Sequence, residues 1–231
     1  MTTPVFDAGA ASTEQNVGSG VNDTVAVAVN AGDMIVLFIN HFQANISSVT
    51  DSDSNSYTSQ LSSGASSPRM DVYTARASKT STVTITVVYA ASHNSGLVAL
   101  AYRNVSGIGA KAIVQDLAVF TSPYAQTLIT TIPGSLIVYG YEAQQPGATC
   151  VKPYTPSGSQ ADRAVTADPA GGCGNAINPG VGGELVTTTV TTYTMTESWS
   201  VATTRGCFAA IELLPTRLSP DEEEPSKPHR N

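Results

Sequence analysis

An internal repeat narrows the choice of fold more than any other feature of this chain. Ala31-Gly32-Asp33-Met34-Ile35-Val36 recurs as Pro133-Gly134-Ser135-Leu136-Ile137-Val138, 102 residues further on. Thr82-Val83-Thr84-Ile85-Thr86 recurs as Thr192-Tyr193-Thr194-Met195-Thr196, 110 residues further on. At that second spacing Tyr89 falls on Trp199, Gly96 on Gly206, and Leu97-Val98-Ala99-Leu100 on Cys207-Phe208-Ala209-Ala210. The second copy has therefore gained eight residues, in the Gly-, Pro- and Asp-rich region from Gln144 to Gly183. Self-similarity of this kind marks two related supersecondary units. Each runs through a turn, a buried strand, a variable loop region, a Thr-alternating strand and an apolar strand of small residues.

Local periodicity says what those units are made of. Val25 to Val29 is a short β-type run, and Met70 to Ala75 and Thr82 to Val87 alternate apolar and polar, the period of a strand with one buried face. Met34 to Ile39 and Leu97 to Tyr102 are continuous apolar runs, as expected where both faces are covered. No window keeps a 3.6-residue period with caps, so little helix is expected. Short strands with regular turns predict an all-β fold, a β-sandwich or jelly-roll-like body. The two halves are joined by another strand-like stretch, 112–119, not by a flexible linker, and their two-sided apolar strands need cover. We therefore expect two pseudo-repeated halves packed as one sandwich. This gives a flexible arm at 1–24, a sandwich at 25–214 with halves of about 25–110 and 111–214, and a disordered acidic, Pro-rich tail at 215–231.

Charge excludes some functions. Only 13% of residues are charged and the net charge is −7, with no basic stripe to neutralise phosphates, so no nucleic-acid partner is expected. No apolar run approaches the roughly 20 residues that span a bilayer, so no membrane partner is expected either. The opening Met1-Thr2-Thr3-Pro4-Val5-Phe6-Asp7 lacks the charged and apolar regions of a signal peptide. A virion surface, released without a standard signal, or another extracellular position is the expected location.

The order of motifs adds a resemblance. Ala31-Gly32-Asp33-Met34-Ile35-Val36, then Ser47-Ser48-Val49-Thr50-Asp51-Ser52-Asp53-Ser54-Asn55-Ser56-Tyr57, then Asp71-Val72-Tyr73 and the Thr-alternating strand, resembles a loosely defined group of β-sandwich modules in phage virion or tail proteins and bacterial surface proteins. There a "GD-L-V" strand precedes an "SVTDS-GN-Y" hairpin, and the module often occurs as two diverged halves. The likeness spans roughly residues 5–214. Ser54 stands where those modules usually place Gly. The motifs concern packing and turns, so the resemblance implies display or adhesion, not a reaction.

Candidate sites are few. Asp51-x-Asp53-x-Asn55 has the alternating oxygens that open a calcium loop, but Ser56 and Ser62 stand where the helical loop needs Gly and Glu. A turn with Asx side chains capping backbone amides is the favoured reading, with Ca²⁺ the one cofactor kept in view. Cys150 and Cys173 flank the enlarged loop and are the pair a disulfide would join, whereas Cys207 reads as a buried, inert thiol. Among aromatics able to stack on a sugar, Tyr154 in the enlarged loop is the ligand-binding candidate. Trp199, paired with Tyr89 by the repeat, reads as structural. Asp71, Asp116, Glu142, Glu184, Glu197 and Glu212 lie on or near strands, yet no local sequence singles out a catalytic pair. His41 and His93 lie at strand ends, and no Gly-x-Ser-x-Gly elbow occurs. The expected function is that of a non-enzymatic structural or decoration protein of a virus particle, on capsid or tail. It would assemble with other virion or surface proteins as a homo-oligomer or lattice. A carbohydrate-binding adhesion module with a glycan partner is the alternative, and a polysaccharide-degrading enzyme a weaker one.

Overall fold

The computed structural model describes residues 1–12, 15–17, 22–42, 45–64, 66, 68–91, 93–118, 122–144, 155–156, 158–165, 181–198 and 205–217. They form an all-β structure of packed antiparallel sheets with no helix among the described residues.

The strands run, in chain order, β1 (Val5–Ala11), β2 (Gln15–Val17), β3 (Asn22–Val29), β4 (Met34–His41), β5 (Ile46–Asp51), β6 (Thr58–Ser62), β7 (Arg69–Arg76), β8 (Ser81–Tyr89), β9 (His93–Arg103), β10 (Val105–Asp116), β11 (Tyr124–Ile129), β12 (Leu136–Gln144), β13 (Thr155–Pro156), β14 (Gln160–Val165), β15 (Val181–Val186), β16 (Thr192–Ser198) and β17 (Arg205–Pro215). The turn before β4 and the turn before β12 each place a glycine in the left-handed region, Gly32 at φ 90° and Gly134 at φ 76°, where a side chain would be strained.

Four sheets stack in layers. An inner sheet of order β1-β9-β4-β7-β6, with β2 added on β9, faces a second inner sheet of order β10-β17-β12-β15-β14. Outside them lie β3-β8-β5 and β11-β16-β13. The first inner sheet has six strands and the second five, because β2 on β9 has no counterpart on β17 among the described residues.

Three apolar cores fill the gaps. Val25, Val27, Ile85 and Val87 meet Ile35, Leu37 and Ala99 in the first, and Leu128 and Met195 meet Tyr139, Tyr141 and Phe208 in the third. The central core joins the halves: Phe38, Val72, Val98 and Leu100 pack on Val138, Ala209, Ile211 and Leu213. β4 is buried at every residue, and β17 nearly so, because each is an inner strand with a core on both faces. The layering is finer than sequence specified. Each half has its own outer sheet and core, and a third core makes them one body.

The inner sheets meet reciprocally, with β1 against β14 and β6 against β10. At one margin the Arg163 guanidinium lies 4.6 Å from the Phe6 ring centroid. At the other, Gln115 Nε2 donates to the Pro68 carbonyl at 2.7 Å and Lys111 Nζ to Gln60 Oε1 at 3.3 Å.

Two boundaries move. The arm expected at 1–24 is ordered over 5–11, where β1 pairs with β9 and carries Phe6 against Tyr102. The side chains of β1 serve two cores: Ala8 and Ala10 pack on the first, Phe6 and Ala11 on the central one. β9 ends at Arg103 and β10 begins at Val105, with Asn104 between them in the left-handed region at φ 60°. At the C-terminal end, Pro215 closes β17 and Thr216 pairs with Thr2, while 218–231 lie outside the described residues. The alignment of Leu97 with Cys207 also slips by one: Leu97 faces the first core, Cys207 the central one, and it is Phe208 that faces the third core. A one-residue shift exchanges the two faces of a strand.

Candidate functional site

The Asp51-x-Asp53-x-Asn55 segment forms a turn that binds itself. Asp51 Oδ1 accepts from the Asp53 and Asn55 amides at 2.9 and 3.0 Å, and Oδ2 accepts from Asn55 Nδ2 at 2.9 Å and Tyr57 OH at 3.0 Å. Asp53 turns instead to Ser81 Oγ and, at 3.2 Å, to Lys79 Nζ, which hold its carboxyl below the usual range. Asn55 Oδ1 caps the Ser78 amide at 2.9 Å. The three side chains therefore cap backbone amides and one another rather than converging on a point. Among the described residues, no group of three or more His, Cys, Asp or Glu side chains is placed to hold a metal ion. Ser54 sits at φ 60°, in the left-handed region that glycine adopts most readily.

Beside this turn, where β6, β7 and the start of β10 meet, lies an open groove of ≈ 540 Å³. Ser54, Ser56, Thr58, Gln60 and Ser106 give it hydroxyl and amide walls, and Met34 and Ile108 add apolar surface. Arg76 is the single charged residue of its lining and donates to the Gly32 carbonyl at 2.8 Å and to the Val105 carbonyl. Such a surface offers hydrogen bonds to hydroxyls and no acid–base pair.

The ionisable groups with unusual surroundings are interior. In the first half, His41 Nε2 lies 2.6 Å from Asp71 Oδ2, with both residues buried. Burial works to raise the Asp71 carboxyl, but His41, Ser62 and Arg69 outweigh it and hold it below the usual range. Nearby, Asp23 accepts from Ser95 Oγ at 2.9 Å, while its Oδ1 has no partner. Burial pushes this carboxyl up to about 6. His41 and Ser95 are cross-strand neighbours, and both are buried together with Asp23.

In the second half, Glu197 on β16 is fully buried and accepts from Tyr139 OH at 2.8 Å, and the same hydroxyl lies 3.4 Å from Asp162 Oδ1. Arg163 donates to Glu184. Glu212 is a structural clamp: it accepts from the Ala110 and Thr131 amides at 2.9 and 2.8 Å and from Thr131 Oγ1 and Ser135 Oγ at 2.8 and 2.7 Å. Those bonds overcome burial and keep its carboxyl below the usual range.

Of the acids noted from sequence, the structure brings Glu197 onto Asp162, which sequence reading passed over. Asp71 goes to His41, Glu184 to Arg163, and Glu142 stands opposite Cys207 in the central core. Asp116 ends β10 and caps the Ala118 amide at 2.9 Å. Asp23 was legible in principle, because it continues the inward phase of Val25, Val27 and Val29; Asp162 had no such signal. Cys207 is a buried free thiol, 3.1 Å from the Pro68 carbonyl, and burial pushes it well up. Tyr154, Cys150, Cys173 and Trp199 lie outside the described residues.

Comparisons with protein-family models, with curated proteins and with solved structures find no match.

Proposed function

We propose that the chain is a non-enzymatic structural or decoration protein of a virus particle, acting through its outer sheet faces. The observation that supports this reading is the absence of charge on both faces among the described residues. On β3-β8-β5 the outward side chains are Asn22, Thr24, Ala26 and Ala28, Thr82, Thr84, Thr86 and Val88, with Ser48 and Thr50. On β11 and β16 they are Ala125, Thr127 and Ile129, and Thr192, Thr194 and Thr196. Threonines line up across strands, Thr24 with Thr86 and Thr50, and Thr127 with Thr194. In a chain of net charge −7 these faces shed water cheaply against another neutral surface, since no ion has to be desolvated. The resemblance supplies the virion or tail setting. The test is electron microscopy and sedimentation of the full chain with Thr84→Arg beside it. Assemblies formed by the wild type and lost in a folded variant support the reading; identical behaviour of the two counts against it.

A carbohydrate-binding module is the second reading, favoured by the hydroxyl-lined groove. Filling it with Thr58→Trp should abolish any saturable signal on a glycan array, and a wild-type array with no binder removes this reading.

A further inference from the structure

We propose that Asp162 and Glu197 share one proton at neutral pH and that this shared proton, under the Tyr139 hydroxyl, latches the outer sheet β11-β16-β13 to the inner sheet of the second half. Glu197 comes from the outer sheet, on the same inward phase of β16 as Met195. Asp162 comes from β14 and Tyr139 from β12, both strands of the inner sheet. The two carboxyl groups converge on one hydroxyl, Tyr139 OH lying 2.8 Å from Glu197 Oε1 and 3.4 Å from Asp162 Oδ1. Ionised carboxylates only accept, so each would need a donated hydrogen. Tyr139 cannot supply both: it has one hydrogen, directed at Glu197. Glu197 Oε2 has no partner. The ring of Tyr139 is held in place from below, since a Cβ on Gly183 would fall 2.5 Å from its Cζ and hydroxyl.

Among the described residues, the neighbouring groups leave the proton as the neutralising charge. From β11, Tyr124 stands opposite Glu197. From β14, Arg163 turns to Glu184 of β15 and to the Phe6 ring. Gln160 directs Oε1 to the Thr196 amide at 2.8 Å. Thr155 and Pro156 of β13 bear no charge. Among the described residues no cation faces the pair. Burial, and after it the Asp162 charge, pushes Glu197 up to about 8, while burial raises Asp162. Above that pH the proton leaves, two like charges remain in a poorly solvated seam, and the latch opens. The latch is independent of which surface the protein binds.

The experiment follows the protonated-carboxyl infrared band and backbone hydrogen exchange of the full chain from pH 7 to 10, above the range in which Asp23 titrates, for wild type and Glu197→Gln. The expected result is a band in the wild type that fades near pH 8, together with loss of exchange protection in β16 but not in β8. The variant should lack the band and keep β16 protected at high pH. A wild type with no protonated carboxyl at pH 7 overturns the proposal, and so does a band that survives in the variant. Calcium that removes the band while protecting β16 overturns it in favour of a cation site. Should the variant not fold, the wild-type titration decides alone: band and β16 protection must fall together.

Discussion

Missing side chains at Gly140 and Gly182 let the two inner sheets approach closely. Phe38 on β4 and Gly140 on β12 face each other across the central core, and a Cβ on Gly140 would sit 2.3 Å from the Phe38 ring. That carbon has nowhere to go, because both strands are central in their sheets. Gly140→Ala should therefore destabilise the protein by about 1–3 kcal/mol, the usual cost of overpacking, and urea unfolding will measure it. Buried carboxylates set the pH response at the same scale. Asp23 rises from 3.8 unfolded to about 6 folded, so the fold gains from it fully below pH 3.8 and loses that gain as pH climbs through 6. The difference corresponds to at most about 3 kcal/mol. Asp71 and Glu212, held low, work the other way: their contribution is present above their unfolded values and is lost as pH falls. Stability should peak under mildly acidic conditions, and Asp23→Asn should flatten the decline from about pH 4 to 6 in denaturant titrations.

At the scale of elements, β1 does more than extend a sheet. It covers one edge of β9, and the chain just after it seats Ser12 Oγ on the Leu97 amide at 2.9 Å. Removing residues 1–11 leaves β9 with unpaired backbone groups beside an apolar face, the condition for edge-to-edge association. The truncated chain should elute as aggregate in size-exclusion chromatography where the full chain does not; a well-behaved truncated species would show that β1 is dispensable. The sequence made β3, β8 and the turns at Gly32 and Gly134 legible, because alternation and turn chemistry are local. β1 was missed since small residues such as Ala8, Gly9 and Ala10 carry little local signal and owe their order to β9. The turn at Asp51 was legible for the same local reason, whereas the pairing of Asp162 with Glu197 depends on two sheets meeting.

At the scale of the molecule, the halves bury their inner sheets against each other in a reciprocal way, first strand over the partner's margin at both sides. Because the central core belongs to both halves, they should unfold together. Val138→Asp puts a charge between Phe38 and Val98 and their neighbours, and calorimetry should show both halves lost in one transition, with no half surviving. Alone, the sequence determined that the chain is all-β, where most strands fall and which side chains of each face inward, since these follow from the period of two and from turn residues. Only tertiary structure decided which core each inward face joins, how four layers share three cores, and which buried acids meet. Those outcomes depend on distances between residues far apart in the chain, and no local pattern encodes them.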